Sequence, residues 1–153
     1  MRNSTIGSAA LALLLGAAGA GAAGEVSKQA DAKSQLKHAS SVKRGARGLK
    51  GDERRGHLLE AAEAYAAVER FFPDAGAECA ESFFRLGEIR RTLGDRDGAL
   101  VAFERAVERK SHRRFGARAQ LEIGHLRRRA KKLPEAIGAY EKLVKEFADQ
   151  QDL

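Results

Sequence analysis

Four histidines, one cysteine and three basic runs are the residues of this chain with chemistry to offer. His38, His57, His112 and His125 never stand three or four residues apart, so no helical turn presents two imidazoles to one metal ion. Glu122-x-x-His125 has the spacing found on one helix of a di-metal carboxylate bundle. That site needs a second such pair and further Glu ligands, and no other Glu-x-x-His occurs. Cys79 is the single cysteine, which excludes an internal disulfide and a cysteine zinc site. It stands near an expected helix start, where a thiol can be acidified; the competing reading is a half-buried structural thiol. In an oxidising compartment it could also crosslink two chains. There is no glycine-rich phosphate loop, no G-x-S-x-G elbow and no His-Glu-x-x-His, and Ser and Thr are few in the second half. The expectation is no catalytic residue, no cofactor and no metal.

The basic runs are Lys43-Arg44 with Arg47 and Lys50, Lys110 to Arg114, and Arg127 to Lys132. With 28 Lys+Arg against 21 Asp+Glu the chain carries +7, a balance that favours acidic partners. Nucleic acid or an anionic surface is therefore one reading. No aromatics interleave with the runs to stack on bases, so solvated helix faces and helix ends are the plainer account.

The elements that must carry these residues centre on Phe83 to Val107, FFRLGEIRRTLGDRDGALVAFERAV. Phe83, Leu86-Gly87, Ala99, Phe103 and Ala106 are spaced for two helices that cross closely, small residues facing a large aromatic. A shift of 37 residues places Leu86 on Ile123, Gly87 on Gly124, Ala99 on Ala136 and Phe103 on Tyr140. A shift of 38 the other way places Phe103 on Tyr65 and Ala99 on Ala61, with Pro73 closing that helix. This pattern resembles the tetratricopeptide repeat family, whose unit is a helix–turn–helix of 34 residues. The resemblance implies an all-α, right-handed superhelix of antiparallel helix pairs, about two and a half to three repeats, over roughly Gly56 to Phe147. The longer spacing, with extra residues at Ala75 to Cys79 and His112 to Gly116, resembles the repeats of outer-membrane assembly and Tol–Pal coordinator proteins of the bacterial envelope.

In chain order, residues 1–23 read as a signal peptide. Arg2 precedes an uncharged stretch from Ile6 to Ala23, with an apolar centre at Leu11 to Leu15 and small-residue exits at Ala18-Gly-Ala20 and Ala20-Gly-Ala22. Its alternative is an uncleaved inner-membrane anchor, for which the apolar part is short. Export to the periplasm or beyond the cell follows, with only Arg2 lost among the charges and +6 left on the mature chain. Residues 24–51 form an atypical first helix or a basic tail, with Ala32, Leu36, Ala39, Val42, Ala46 and Leu49 stepping by three or four. Residues 52–148 are the repeat domain, in which Asp52 and Asp74 are expected to cap helices and Pro134 to sit in a first helical turn. Residues 149–153 are a polar tail.

The resemblance also implies a place for binding. In the family the first helix of each repeat lines a concave groove. The matching positions here are Glu81, Phe84, Glu88 and Arg91, then Arg118, Leu121, His125 and Arg128. Phe84 and Leu121 would be apolar anchors flanked by charge, acidic-leaning in one set and basic in the other, suited to a peptide or protein partner. The alternative is that Phe84 only packs between helices. The lysine and asparagine pattern that grips a C-terminal carboxylate in chaperone-binding members is missing. Ile137, Tyr140 and Val144 would lie partly bare on the last helix, leaving room for a partner or a second copy. The expected function is a non-catalytic protein-interaction module of the cell envelope.

Overall fold

The computed structural model describes residues 25–150, so the signal-peptide reading of residues 1–23 lies outside the described residues. Six helices follow one another, with no strand among the described residues: α1 Ala32–Gly45, α2 Gly51–Phe71, α3 Gly76–Thr92, α4 Arg96–Glu108, α5 Arg113–Arg129 and α6 Leu133–Glu146. They pair as α1/α2, α3/α4 and α5/α6, and each pair also packs on the next through α2 on α3 and α4 on α5.

Local chemistry sets most boundaries. Asp31 caps α1 by accepting from Ser34 N at 2.7 Å, and Asp95 caps α4 by accepting from Gly98 N at 2.9 Å. Asp52 and Asp74 are not caps: Lys50 and Ala75 hold those positions, without a side-chain hydrogen bond. Asp52 instead lies within the first turn of α2 beside Glu53, where a negative charge faces the positive helix end. Pro134 occupies the first turn of α6. The segments expected to lengthen the joints between repeats, Ala75 to Cys79 and His112 to Gly116, wind instead into the first turns of α3 and α5. The extra length has become helix.

The second and third pairs each close on a glycine beneath an aromatic ring. A Cβ built on Gly87 would lie 2.6 Å from the ring of Phe103, and one on Gly124 would overlap Tyr140 as closely. No side chain fits there. In the first pair Ser40 and Tyr65 meet instead through their hydroxyls, 3.1 Å apart. Ser40 and Tyr65 are 25 residues apart, whereas Gly87 to Phe103 and Gly124 to Tyr140 each span sixteen. The nine additional residues lengthen the α1–α2 joint and extend α2 to 21 residues, with Gly51 to Gly56 projecting exposed.

The turns of the second and third pairs are built alike. Gly94 N bonds to Arg91 O and Asp95 N to Arg90 O; Lys131 N bonds to Arg128 O and Lys132 N to Arg127 O. Both turns need a left-handed residue after the helix, which Gly94 supplies at φ 85° and Lys131 at φ 60°. A side chain there carries a steric cost that glycine avoids.

The inner helices α1, α3 and α5 touch in succession, while the backbones of α2 and α4, and of α4 and α6, stay apart. A stack that is close on one side and splayed on the other must curve, with α1, α3 and α5 lining the concave side. Long side chains bridge the splayed side. Arg105 and Arg109 of α4 both reach Glu69 of α2, and Arg109 also donates to Pro73 O at 3.0 Å. Arg113 of α5 likewise holds Asp149, donating to it from Nε at 2.9 Å, and donates to Glu146 O at 2.8 Å. This grip, with a further bond from Gln150, holds the Asp149 carboxyl down at about 2.

Two outcomes follow for stability. Phe103→Ala removes a ring that is 0% exposed and should cost about 3–5 kcal/mol; Gly87→Ala, which overpacks the same contact, should cost about 1–3 kcal/mol. Both are read from urea unfolding, and an unchanged midpoint for either would contradict the contact described. Lys131→Gly should move the other way, raising stability by about 1 kcal/mol as the left-handed turn loses its side chain.

Candidate functional site

The eight groove positions divide sharply once the helices are packed. Phe84 is 2% exposed, wedged against Phe103 and Phe115 at ring separations of 5.8 and 5.5 Å, with the Arg118 guanidinium 4.7 Å above its ring. It is core, not an anchor that a ligand can reach. The reason lies in its position where α3 meets both α4 and α5, the one place with three elements to cover it. Leu121 is half-buried, and His125 stands edge-on to Tyr140 at 6.0 Å.

Two of the groove charges, Glu88 and Arg91, are spent on neighbouring helices. Glu88 of α3 accepts from Lys43 of α1 at 3.3 Å and from Arg85 at 3.1 Å. Glu81 pairs with Arg85 at 3.5 Å. Arg91 of α3 faces Glu122 of α5 at 3.7 Å, an ion pair without a hydrogen bond. These contacts join α1 to α3 and α3 to α5 along the concave side. Arg128 alone of the eight is exposed with no ion-pair partner among the described residues.

The other basic runs are also partly consumed. Arg127 pairs with Glu104 of α4 at 3.2 Å, and Arg113 with Asp149. Elsewhere the concave side keeps unpaired cations that the groove positions did not include. Lys33, Lys37, Ser40 and Arg44 fall four, three and four residues apart along α1 and together border a cavity of about 410 Å³. Its opposite wall is Ala77, Glu78 and Glu81 of α3, with His112 at one end. Below it, Arg44, Arg47, Arg54, Lys43 and Arg85 converge on a cleft of about 530 Å³ between α1, α2 and α3. The i, i+4, i+7, i+11 spacing of the α1 residues was the signal that could have found this surface.

Metal or thiol chemistry gains no site. Among the described residues no three His, Cys, Asp or Glu side chains gather as a metal site would require. Glu122 of the Glu-x-x-His pair faces Arg91 instead. Cys79 is buried, its thiol donating toward Phe72 O at 3.4 Å, and burial pushes its pKa up. The helix start does not acidify it, and a thiol without solvent access cannot join two chains.

A tetratricopeptide repeat family model matches residues 81–109, which cover most of α3 and all of α4. The fold is a tetratricopeptide-like helical repeat. The matched segment is the one whose Gly87–Phe103 contact recurs in the pair after it as Gly124–Tyr140. Such repeats generally mediate protein–protein interaction and are generally non-catalytic. No curated protein matches the chain.

The burial of Cys79 has a direct consequence. Its thiol should resist Ellman's reagent at pH 8 in the native protein and react at once in denaturant. Because the folded pKa is raised, the unfolded chain loses this proton first, so the contribution to stability falls as pH climbs past the ordinary thiol value of about 8.5. Rapid labelling of the folded protein would contradict the packing.

Proposed function

We propose that the protein is a non-catalytic interaction module of the bacterial cell envelope that holds a protein partner on the concave side formed by α1, α3 and α5. The observation that supports this most is the continuity of that side. Three helices touch in succession and leave Lys33, Lys37, Arg44 and Arg128 without ion-pair partners among the described residues. A charged, curved, pre-formed surface suits a polypeptide segment laid across the helices. Export is supported by the sequence of residues 1–23, with its charged start, apolar centre and small-residue exits.

The second reading, a basic scaffold for nucleic acid or an anionic surface, draws on the same charge. Against it, one cation in each basic run is engaged: Lys43 by Glu88, Arg113 by Asp149 and Arg127 by Glu104. The last helix adds a feature of its own. Leu133, Ile137 and Val144 are 57%, 57% and 72% exposed on α6. Ile137, Glu141 and Val144 stand where α4 has Leu100, Glu104 and Val107, the apolar residues of which pack on the core and the carboxylate of which meets Arg127 of α5. This is the surface a second copy or a partner helix would cover, and sedimentation of the purified protein reports which.

The test of the main reading is photocrosslinking in the envelope fraction. A photoreactive residue at Lys37 or Leu121, on the concave side, should give protein adducts, and one at Val101 of α4 should not. Adducts from Val101 alone would overturn it. Mass spectrometry of the same material should find a mature start between about Gly21 and Glu25; intact Met1-containing protein in the cytosol would refute export.

A further inference from the structure

We infer that the lengthened first repeat builds an anion-binding cleft whose ligand is an acidic polypeptide segment, engaged by Arg44, Arg47 and Arg54; this names the partner chemistry for the concave surface proposed above and rests on that reading.

The argument begins with the nine additional residues of the first pair. In the second and third pairs the inner helix is followed by a three-residue joint and the outer helix starts beside it. In the first pair the joint runs from Ala46 to Lys50, and α2 begins with an exposed extension. The joint supplies Arg47, the extension supplies Arg54, and the last turn of α1 supplies Lys43 and Arg44. Arg85 of α3 closes the far wall. No equivalent joint or extension exists in the other two pairs.

The charges in the cleft do not cancel. Lys43 and Arg85 share Glu88, and Arg85 also meets Glu81, the only carboxylate in the lining. Arg44, Arg47 and Arg54 are exposed and have no ion-pair partner among the described residues. Asp52 and Glu53 share a helical turn with Arg54 but do not line the cleft. A concave site lined by one sign of charge focuses its field and concentrates a ligand of the opposite sign. Guanidinium groups grip carboxylates through paired, charge-assisted bonds.

The floor selects among polyanions. It is made by Leu58, Ala46 and Tyr65, and Tyr65 is 2% exposed with its hydroxyl turned to Ser40. A buried ring cannot stack on a nucleobase, so the cleft lacks the platform a single strand requires. An apolar floor, three free guanidinium groups and one opposing carboxylate match a segment in which acidic side chains alternate with apolar ones. Lys33 and Lys37 continue the cationic stripe along α1 for the rest of such a segment.

The experiment is fluorescence anisotropy of the mature chain with a labelled octamer of glutamate, and with an eight-nucleotide oligothymidylate as the competing polyanion. The glutamate octamer should bind the wild-type protein more tightly than the oligonucleotide does. The double variant Arg47→Glu/Arg54→Glu should weaken it by about tenfold or more, as expected when two charge-assisted contacts are reversed. The variant Arg70→Glu/Arg96→Glu makes the same change of net charge on the outer helices α2 and α4 and should alter binding by less than about threefold. All four residues are exposed, and circular dichroism confirms that each variant is folded. Equal weakening by both variants, no binding of the octamer, or tighter binding of the oligonucleotide would each overturn the proposal. If the octamer fails while crosslinks from Lys37 and Leu121 persist, the cleft is wrong and the concave reading stands; loss of those crosslinks overturns the concave reading itself.

Discussion

Everything in this molecule depends on how closely the two helices of a pair can approach. Phe103 lies on Gly87 and Tyr140 on Gly124 because no side chain intervenes, and in the first pair the Tyr65 and Ser40 hydroxyls share a hydrogen bond. These contacts fix the crossing of each pair. Alanine continues the theme, with Ala61, Ala99 and Ala136 all buried on the outer helices. The pairs are thin as a result, and their large side chains collect where one pair meets the next. Phe84 and Phe115 belong to that second layer of packing, covered by α4 and by each other.

Close pairs stacked with a constant offset bring the inner helices into contact and leave the outer ones apart. The two sides therefore use charge differently. On the splayed side, Arg105 and Arg109 of α4 span the gap to Glu69 of α2. Only a long, forked side chain can do this, which accounts for arginine at these positions. Arg105 also lies over the Phe83 ring at 4.2 Å, so its stem covers apolar surface as its head makes the ion pair. On the concave side, Lys43–Glu88 and Arg91–Glu122 join adjacent helices directly. The net positive charge of the chain is thus not a uniform coat. Lys33, Lys37 and Arg44 of α1 and Arg47 of its joint keep no ion-pair partner among the described residues, and neither do Arg128, Arg129, Lys131 and Lys132 at the end of α5 and its turn.

The first pair shows where a repeat can hold added residues. Its helices meet through the Ser40 and Tyr65 hydroxyls, and the buried Ala61 and Tyr65 of α2 stand where α4 has Ala99 and Phe103. The added residues are confined to the joint and to the exposed start of α2, where they disturb no packing. Insertions are tolerated at such surface positions because loop closure costs little more as a loop lengthens.

Sequence alone determined the all-α fold, the pairing of α3 with α4 and of α5 with α6, and the residues at their crossings. It could do so because a helical repeat records its contacts at short, fixed separations: Gly87 and Phe103 are local neighbours, and the shift of 37 residues repeats them. Helix caps were less legible, since Asp52 and Asp74 differ from the true caps Asp31 and Asp95 only in where the chain turns. The surface was decided by tertiary structure. Phe84 occupies a groove position by count, yet α4 and α5 close over it; Glu88 and Arg91 count as groove charges, yet Lys43 and Glu122 neutralise them from other helices. Arg44, Arg47 and Arg54 meet at one cleft only because α1, its joint and α2 fold back on one another. Burial and ion pairing of a side chain are set by what arrives from other helices, and periodicity within a single helix carries no information about those neighbours.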